Sequence, residues 1–291
     1  MKGLILTNAY SPLFSARQVK RLSEELTARG VKVDARRNDF FPTEISGGEI
    51  KTDCRYDFCI YLDKDKYVSQ MLERTGVRLF NSAQSIELCD DKMLTHIALA
   101  EHGIPTPDTL SGLLCYDERA EINAATVDRV ERTFGYPVVV KLSYGSRGTG
   151  VFKANDRKEL IDIMSKVKMY PHLFQRFIAR SAGTDMRVIV IGGKALGAII
   201  RRSETDFRSN IGLGGSAQKV DLPREVKEIA ERTATLLGLD YCGIDFLLSP
   251  APLVCEVNSN AFFDAFEAAT NINVAAAYAE HIIKCVNNNL K

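Results

Sequence analysis

Several features that mark specialised classes of protein are missing from this sequence. No stretch approaches the roughly 20 apolar residues that a membrane-spanning helix needs. The seven cysteines are odd in number and scattered, and they form no C-x-x-C pair, so neither a disulfide framework nor a zinc site is indicated. There is also no internal repeat and no low-complexity tract. These absences favour an ordinary globular protein whose cysteines are buried small residues or incidental thiols.

A strong charge of either sign is also missing. The formal net charge is +1, which provides no global electrostatic reason to bind nucleic acid or an anionic membrane. The apolar run at residues 4–6 is too short for the core of a signal peptide, and no small-residue cleavage site follows it. We therefore expect a cytoplasmic protein with neither nucleic acid nor a membrane as partner. A homo-oligomer is compatible with the sequence.

The first ninety residues alternate short β-rich runs with amphipathic helical stretches. Strands are predicted at 4–6, 31–33, 58–62 and 77–80, and helices at 19–26 and 67–74. Such alternation is typical of a parallel α/β sheet. A G-x-G-x-x-G fingerprint is missing after the first strand, which argues against a nicotinamide-binding domain.

The remaining chain has a different character and is predicted to form two further units. We place the domain boundaries so that residues 1–90, 91–175 and 176–291 form an N-terminal domain, a central lobe and a C-terminal lobe. The expected elements after residue 90 are helices at 93–102, 157–166, 224–237 and 273–287, strands at 138–142 and 151–153, a strand-rich stretch at 173–200 and a hairpin at 243–257.

A glycine-rich segment at 145–150 lies between two strand-like runs and lacks the G-K-[ST] ending of a P-loop. It is predicted to be a flexible hairpin tip. Its three glycines let backbone N–H groups approach phosphate oxygens closely, with Ser146 or Arg147 as additional donors. Taken alone, a glycine-rich β-turn without a ligand would be the more frequent explanation.

Lys141 comes just before that loop, inside an apolar strand. It shares a face with Val139 and points away from Val138, Val140 and Leu142. Such a lysine either reaches water at a sheet surface or presents its ammonium group to phosphate. The neighbouring loop favours phosphate.

Two strands near the C-terminus carry a candidate metal site. Pairing Leu248 with Leu253 across a proline-containing loop places Asp245 opposite Glu256, and Asn258 lies on the same face. Three hard oxygen ligands suit Mg²⁺ held together with substrate phosphates. The alternative is a pair of carboxylates that face water, but apposed carboxylates repel each other unless a cation or proton intervenes.

A basic patch contains Arg201 and Arg202 and continues with the segment 206–210, which includes Arg208. Guanidinium groups suit a transferring phosphoryl group or a substrate carboxylate. Alone, such a patch is more often a solvated basic loop.

In this order, the motifs resemble the ATP-grasp superfamily and specifically its RimK-like branch of ATP-dependent amino-acid ligases. The resemblance covers the chain from about residue 81 to the C-terminus, and the N-terminal domain more loosely. It implies an ATP-grasp fold in which an N-terminal parallel α/β (pre-ATP-grasp) domain precedes two α+β lobes that clamp ATP.

The resemblance also implies roles for individual residues. Lys92 and Lys141 would contact the ATP phosphates, and Gly148 belongs to the loop that would fold over them. Arg201 and Arg208 would offset charge on the transferring phosphoryl group. Backbone groups at Arg176, Phe177 and Ile178 would hold adenine. Asp185, Ser209 and Asn210 would bind the nucleoside and ATP. Asp245, Glu256 and Asn258 would bind magnesium.

Three departures from the family pattern concern the hinge and the substrate side. Arg176 stands where a Glu is common, residues 210–215 lack the His-Arg pair of the ribosomal-protein glutamate ligases, and residues 259–263 replace the usual Ser-x-Pro-Gly. The nucleotide motifs persist while these segments differ, so the sequence does not specify the substrates.

The resemblance implies an ATP- and Mg²⁺-dependent carboxylate–amine ligase that forms an acyl phosphate and releases ADP and phosphate. Two Mg²⁺ ions are expected, with Mn²⁺ as a substitute. The expected substrates are glutamate or another amino acid and a peptide, cofactor or carrier-protein acceptor. The alternatives are a small-molecule kinase on the same scaffold and a non-catalytic nucleotide-binding module, and the intact Lys141 and carboxylates argue against the module.

Overall fold

A computed structural model describes residues 1–10, 14–146, 148–209 and 215–289. The predicted phosphate donor Arg147 and the predicted ATP contact Asn210 lie outside the described residues. No helix in the described ranges is long and apolar enough to cross a membrane.

The described strands, in chain order, are β1 (Lys2–Thr7), β2 (Lys32–Arg37), β3 (Thr43–Ser46), β4 (Glu49–Thr52), β5 (Phe58–Leu62), β6 (Arg78–Phe80), β7 (Thr109–Ser111), β8 (Val138–Leu142), β9 (Val151–Ala154), β10 (His172–Arg176), β11 (Thr184–Ile191), β12 (Lys194–Arg202), β13 (Ser216–Val220), β14 (Tyr241–Leu247) and β15 (Leu253–Asn258). The described α-helices are α1 (Phe14–Ala28), α2 (Lys66–Arg74), α3 (Ala83–Asp90), α4 (Lys92–Glu101), α5 (Ala124–Phe134), α6 (Arg157–Val167), α7 (Arg224–Leu236), α8 (Asp264–Thr270) and α9 (Val274–Asn289).

The N-terminal sheet has the order β2-β1-β5-β6, and its strand pairs are parallel. The predicted parallel α/β sheet is therefore confirmed. Its central strands β1 and β5 are almost fully buried because helices and the neighbouring sheet cover both faces. A separate antiparallel hairpin, β3-β4, was not predicted.

The expected helices are found, and three others were missed. Helix α4 begins where Asp91 accepts hydrogen bonds from the N–H groups of Met93 and Leu94, and it ends at residue 101, just before Gly103. The missed helices α3, α5 and α8 are short, with 7 to 11 residues each, so each has few turns in which an apolar periodicity can be recognised.

The central sheet has the order β7-β10-β8-β9, and its strands pair antiparallel. Helices α5 and α6 cover one face, and Val138 and Val140 join their apolar core. Since side chains alternate along a strand, Val139 and Lys141 point to the opposite face. The loop after β8 is the predicted hairpin tip, because β8 and β9 pair directly with each other.

The C-terminal sheet has the order β13-β12-β11-β14-β15 and is also antiparallel. Asp245 pairs with Glu256, as predicted, but the predicted pairing of Leu248 with Leu253 is wrong. Leu253 pairs with Leu247, and an irregularity in the ladder next to Asp245 adds one residue on β15. This bulge shifts the register by one, so the two carboxylates still face each other.

The N-terminal and C-terminal sheets share one apolar core, whereas the central sheet has a core of its own. Ile5 and Phe58 belong to the same buried cluster as Ile189, together with helix α9. The Asn81 side chain also joins the two sheets, since it donates to the carbonyl oxygen of Tyr241 at 2.8 Å and accepts from the Tyr241 N–H at 3.0 Å. The domain boundaries at residues 90 and 175 stay a prediction.

Candidate active site

A cavity separates the central sheet from the C-terminal sheet. Twelve of the fourteen predicted site residues line it, namely Lys92, Lys141, Gly148, Arg176, Phe177, Ile178, Asp185, Arg201, Arg208, Ser209, Asp245 and Glu256. Asn258 lies beside it and donates from Nδ2 to Asp245 Oδ2 at 3.4 Å. The fourteenth, Asn210, is outside the described residues. We call the surface around Lys92 and Lys141 the central wall, and the surface around Asp185, Arg187, Arg201 and Asp245 the C-terminal wall.

Lys141 projects from β8 into the cavity, beside Val139. Its side chain is only 7% exposed, and its Nζ lies 3.4 Å from the Sγ of Cys255 on β15. A thiol is a weak hydrogen-bonding partner for an ammonium group. The contact therefore leaves Lys141 with donor capacity for an anionic ligand.

Lys92 occupies the first turn of α4, and its ammonium group lies beside the glycine-rich loop. Nζ donates to the carbonyl oxygen of Gly145 at 2.9 Å and is 3.8 Å from Glu256 Oε1. Burial lowers the pKa of Lys92, and Glu256 only partly offsets that effect. An anion in the cavity would therefore stabilise the charged form of this lysine.

The glycine-rich loop reaches across the cavity to the C-terminal lobe. The Arg208 Nη1 donates to the carbonyl oxygen of Gly148 at 2.6 Å, while its Nε and Nη2 bind Asp206 at 2.9 and 2.6 Å. Gly148 has a φ of 77°, a backbone conformation that residues other than glycine rarely adopt. The loop and Arg208 together close one side of the cavity.

Asp245 forms the centre of the C-terminal wall. The Arg187 guanidinium binds it in a bidentate manner, with Nε to Oδ1 at 2.6 Å and Nη2 to Oδ2 at 2.7 Å. Arg201 Nη2 also approaches Oδ2, at 2.9 Å. Although burial opposes its charge, these two arginines lower the pKa of Asp245. Asp245 is therefore held ionised at the floor of the site.

Asp185 extends the same network on strand β11. Arg201 donates from Nε to Asp185 Oδ1 at 2.7 Å, and the Ser209 hydroxyl donates to Oδ2. Burial and the neighbouring charge of Asp245 raise the pKa of Asp185, against the attraction of Arg201. Two aspartates and two arginines thus form a compact group whose formal charges balance.

The donor atoms next to this network fit a hard divalent cation. Asp245 Oδ1 accepts from Arg187 Nε and retains a lone pair, and the Asn258 carboxamide oxygen stays available because its Nδ2 is the donor. Glu256 adds a carboxylate that is 30% exposed. Oxygen donors of this kind suit Mg²⁺.

The hinge after β10 places its backbone along the cavity, while the Arg176 side chain turns outward. Arg176 Nε donates to Asp108 Oδ2 at 2.8 Å, and Nη2 donates to the carbonyl oxygen of Thr133 at 3.1 Å. This arginine therefore supports the hinge from behind. Phe177 and Ile178 remain on the cavity side.

His96 is a buried residue behind the central wall. Its Nε2 lies 3.1 Å from the Gln175 amide nitrogen, which makes Nε2 the acceptor and the ring neutral. Burial, followed by the charges of Lys141 and Lys92, lowers the pKa of His96 to about 3. A neutral ring avoids adding a third positive charge to the lysines.

The sequence analysis missed three residues at this site, Arg187, Cys255 and His96. The spacing of Asp185 and Arg187, two residues apart on a strand, was an available signal, because it places both side chains on one face. Cys255 is the residue directly before Glu256. For His96 the sequence carried no distinguishing signal.

The chain is similar to known proteins over most of its length. The family described as "RimK-like ATP-grasp domain" matches residues 89–282. Human N-acetylaspartylglutamate synthase A is 40% identical over 231 residues, which are 78% of this chain and 57% of the relative. Human beta-citrylglutamate synthase B is 39% identical over 224 residues, which are 75% of this chain and 56% of the relative. The chain thus spans little more than half the length of these curated relatives.

A solved structure shows the same fold over nearly the whole chain. D-alanine–D-alanine ligase from Bacillus anthracis, complexed with ATP, superimposes with a TM-score of 0.76 at 18% identity and covers 99% of this chain and 98% of its own. At this identity the likeness concerns the fold alone. The family match covers well over half of the chain, from α3 to α9, and the walls of the cavity fall within it. The chain therefore belongs to the RimK-like ATP-grasp family.

Proposed function

We propose that this chain is an ATP- and Mg²⁺-dependent ligase that joins a carboxylate to the amine of glutamate. The observation that carries the proposal is the cavity itself. One wall offers two lysines and a glycine-rich loop, and the other offers arginines and oxygen donors for a metal. Such an arrangement suits a polyphosphate whose terminal phosphoryl group is transferred.

The nucleotide would lie with its phosphates against the central wall. Lys92 and Lys141 would bind phosphate oxygens, and backbone groups at Phe177 and Ile178 would hold the base. Asp245, Glu256 and Asn258 would hold Mg²⁺, which would neutralise charge on the phosphates. Two ions, with Mn²⁺ as a substitute, stay part of the proposal.

The reaction would proceed in two balanced steps. A carboxylate oxygen attacks the γ-phosphorus of ATP, the bond to the β-phosphate oxygen breaks, and ADP leaves. The amine nitrogen then attacks the carbonyl carbon of the acyl phosphate, phosphate leaves, and the nitrogen loses a proton. Arg208 and Arg201 would offset the negative charge that develops on the transferring group.

Glutamate is the proposed amine because both curated relatives are named for products that contain it. The compound that supplies the carboxylate would be a small carboxylic acid, or a peptide, cofactor or carrier protein. A kinase on the same scaffold would use the same nucleotide contacts but would stop after the first step.

The test is ATP turnover with glutamate and a panel of carboxylic acids, followed by mass spectrometry of the product. We expect ADP and phosphate in equal amounts, and a hydroxamate when hydroxylamine replaces the amine. ADP with a stable phosphorylated product would favour the kinase. AMP formation would exclude the proposed chemistry, and an absence of turnover with bound ATP would favour a nucleotide-binding module.

A further inference from the structure

A second group of potential ligands lies at the opposite end of strand β14 from Asp245. Asp240 immediately precedes β14, and it meets His281 and Cys285 of helix α9. One ligand atom from each of the three residues lies within 4.8 Å of the others. Asp240 precedes Asp245 by five residue steps of extended chain, roughly 17 Å. This cluster is therefore distinct from the cavity described above.

We propose that Asp240, His281 and Cys285 bind one Zn²⁺ ion. The three residues offer a carboxylate oxygen, an imidazole nitrogen and a thiolate sulfur, the donor types found in zinc sites. His281 and Cys285 are four residues apart on a helix, which places both on the same face. With three protein ligands, the fourth position of a tetrahedral ion would be taken by water.

Two of the distances between ligand atoms can be compared with those of a tetrahedral site. Ligand atoms around zinc are about 3.3–3.6 Å apart when their bonds are about 2.0–2.3 Å long. Cys285 Sγ lies 3.6 Å from His281 Nε2, which meets that spacing directly. Asp240 Oδ1 is 2.7 Å from the same nitrogen, a hydrogen-bond distance. Replacing the shared proton by an ion requires this pair to separate by about 0.6 Å.

The surroundings position two of the ligands. The Asp240 N–H donates to Asn81 Oδ1 at 2.7 Å, and the Gly192 N–H donates to the Asp240 carbonyl oxygen at 2.8 Å. Gly192 also packs against the imidazole, because a Cβ at that position would lie 2.6 Å from His281 Nδ1. Phe80 contacts the ring edge-on. Such outer contacts orient a histidine ligand.

The geometry argues against a nucleophilic cysteine. A cysteine–histidine–carboxylate relay uses the two ring nitrogens for different partners. Here the carboxylate approaches Nε2, and the thiol lies at nearly equal distances from Nε2 and Nδ1, 3.6 and 3.8 Å, so the two nitrogens do not serve different partners. Arg78 Nη2, 3.6 Å from Asp240 Oδ1, would balance part of the ligand charge.

A zinc ion here would connect helix α9 to the start of β14, beside the N-terminal sheet. Direct tests use the full chain with excess Mg²⁺ present, so that oxygen-only sites are occupied. Titration with Co²⁺ should produce a thiolate-to-cobalt charge-transfer band that saturates at one equivalent. Cys285→Ser should abolish the band, and Cys115→Ser, which changes another partly exposed cysteine, should leave it unchanged.

Calorimetry with Zn²⁺ should show at least a tenfold loss of affinity in Cys285→Ser and His281→Asn. Retained thermal stabilisation by ATP would demonstrate that these variants are folded. Equal zinc affinity in the native protein and Cys285→Ser would overturn the proposal. If the variants do not fold, the cobalt titration of the native protein is still a test, because absence of the charge-transfer band would also overturn the proposal.

Discussion

The two walls of the cavity carry charge in different ways. On the C-terminal wall, Asp185 and Asp245 are bound by Arg187 and Arg201, so the formal charges of these four residues balance. On the central wall, two lysines face a thiol, a carbonyl oxygen and a more distant carboxylate. The C-terminal wall is therefore complete before any ligand binds, whereas the central wall has cationic groups that an anion would stabilise.

This difference separates residues whose loss should lower the stability of the protein from residues whose loss should mainly weaken ligand binding. Removing one member of a balanced buried network leaves its partner's charge uncompensated, which destabilises the protein. Removing a buried lysine that has weak partners relieves a desolvation cost, so it should weaken ligand binding without destabilising the protein. The predictions below test this contrast, from the largest expected effect to the smallest.

Glu256→Gln should have the largest effect, because Glu256 is a partly exposed carboxylate between the two walls. Loss of one anionic ligand should lower turnover about a thousandfold, about 4 kcal/mol of activation free energy. Stabilisation by ATP in thermal melts should partly survive, and Glu225→Gln on the exposed face of α7 is the control. Normal magnesium dependence of turnover in Glu256→Gln would mean that this residue does not bind the metal.

Arg187→Met should destabilise the protein by about 3 kcal/mol, because it leaves the buried Asp245 with only part of its compensation. Urea denaturation would measure the loss. Arg202→Met, at an exposed position next to Arg201, should change the free energy of unfolding by less than about 0.5 kcal/mol. Equal stability of the two variants would contradict the charge-balanced description of the C-terminal wall.

Lys141→Met should weaken ATP binding about thirtyfold, about 2 kcal/mol, which is typical for a lost hydrogen bond to a charged group. Its free energy of unfolding should be unchanged or raised, since the methionine needs no charged partner. Lys166→Met, on the exposed side of α6, should leave ATP affinity as it is. A large loss of stability in Lys141→Met would assign this lysine to the fold.

The smallest expected effect is the contribution of His96 to the pH dependence of stability. Its pKa is about 3 in the folded protein, against 6.5 for an ordinary histidine. Below pH 6.5 the unfolded chain therefore binds a proton that the folded protein rejects, and the stability present above that pH is lost as the pH falls towards 3. At pH 5.5 this amounts to about 1.4 kcal/mol.

His96→Gln removes the titrating group, so its free energy of unfolding should fall less than that of the native protein between pH 7.5 and 5.5. Urea denaturation at both pH values would measure the two slopes. Parallel slopes would show that His96 is not held neutral behind the central wall.

Much of the central wall could be predicted from the sequence because its determinants are local. The alternation of side chains along one strand placed Lys141 opposite the core valines, and three glycines within six residues indicated the loop. The pairing of Asp245 with Glu256 was also correct, although the predicted register at Leu248 was not. The bulge adds one residue to β15, and the local sequence does not indicate it. The length of the turn alone therefore could not predict the register.

The sequence by itself determined the parallel N-terminal sheet, the face of β8 on which Lys141 lies, and the oxygen donors on β14 and β15. These features depend on the periods of 2 and 3.6 residues in strands and helices and on short turns, which involve only residues near each other in the chain. The tertiary structure decided which charges meet. Arg187 reaches Asp245 from 58 residues away, and Asp240 meets His281 and Cys285 only where β14 begins beside α9. Cysteine spacing along the chain could not indicate that cluster, since one of its ligands comes from a different element and the packing of the shared core brings them together.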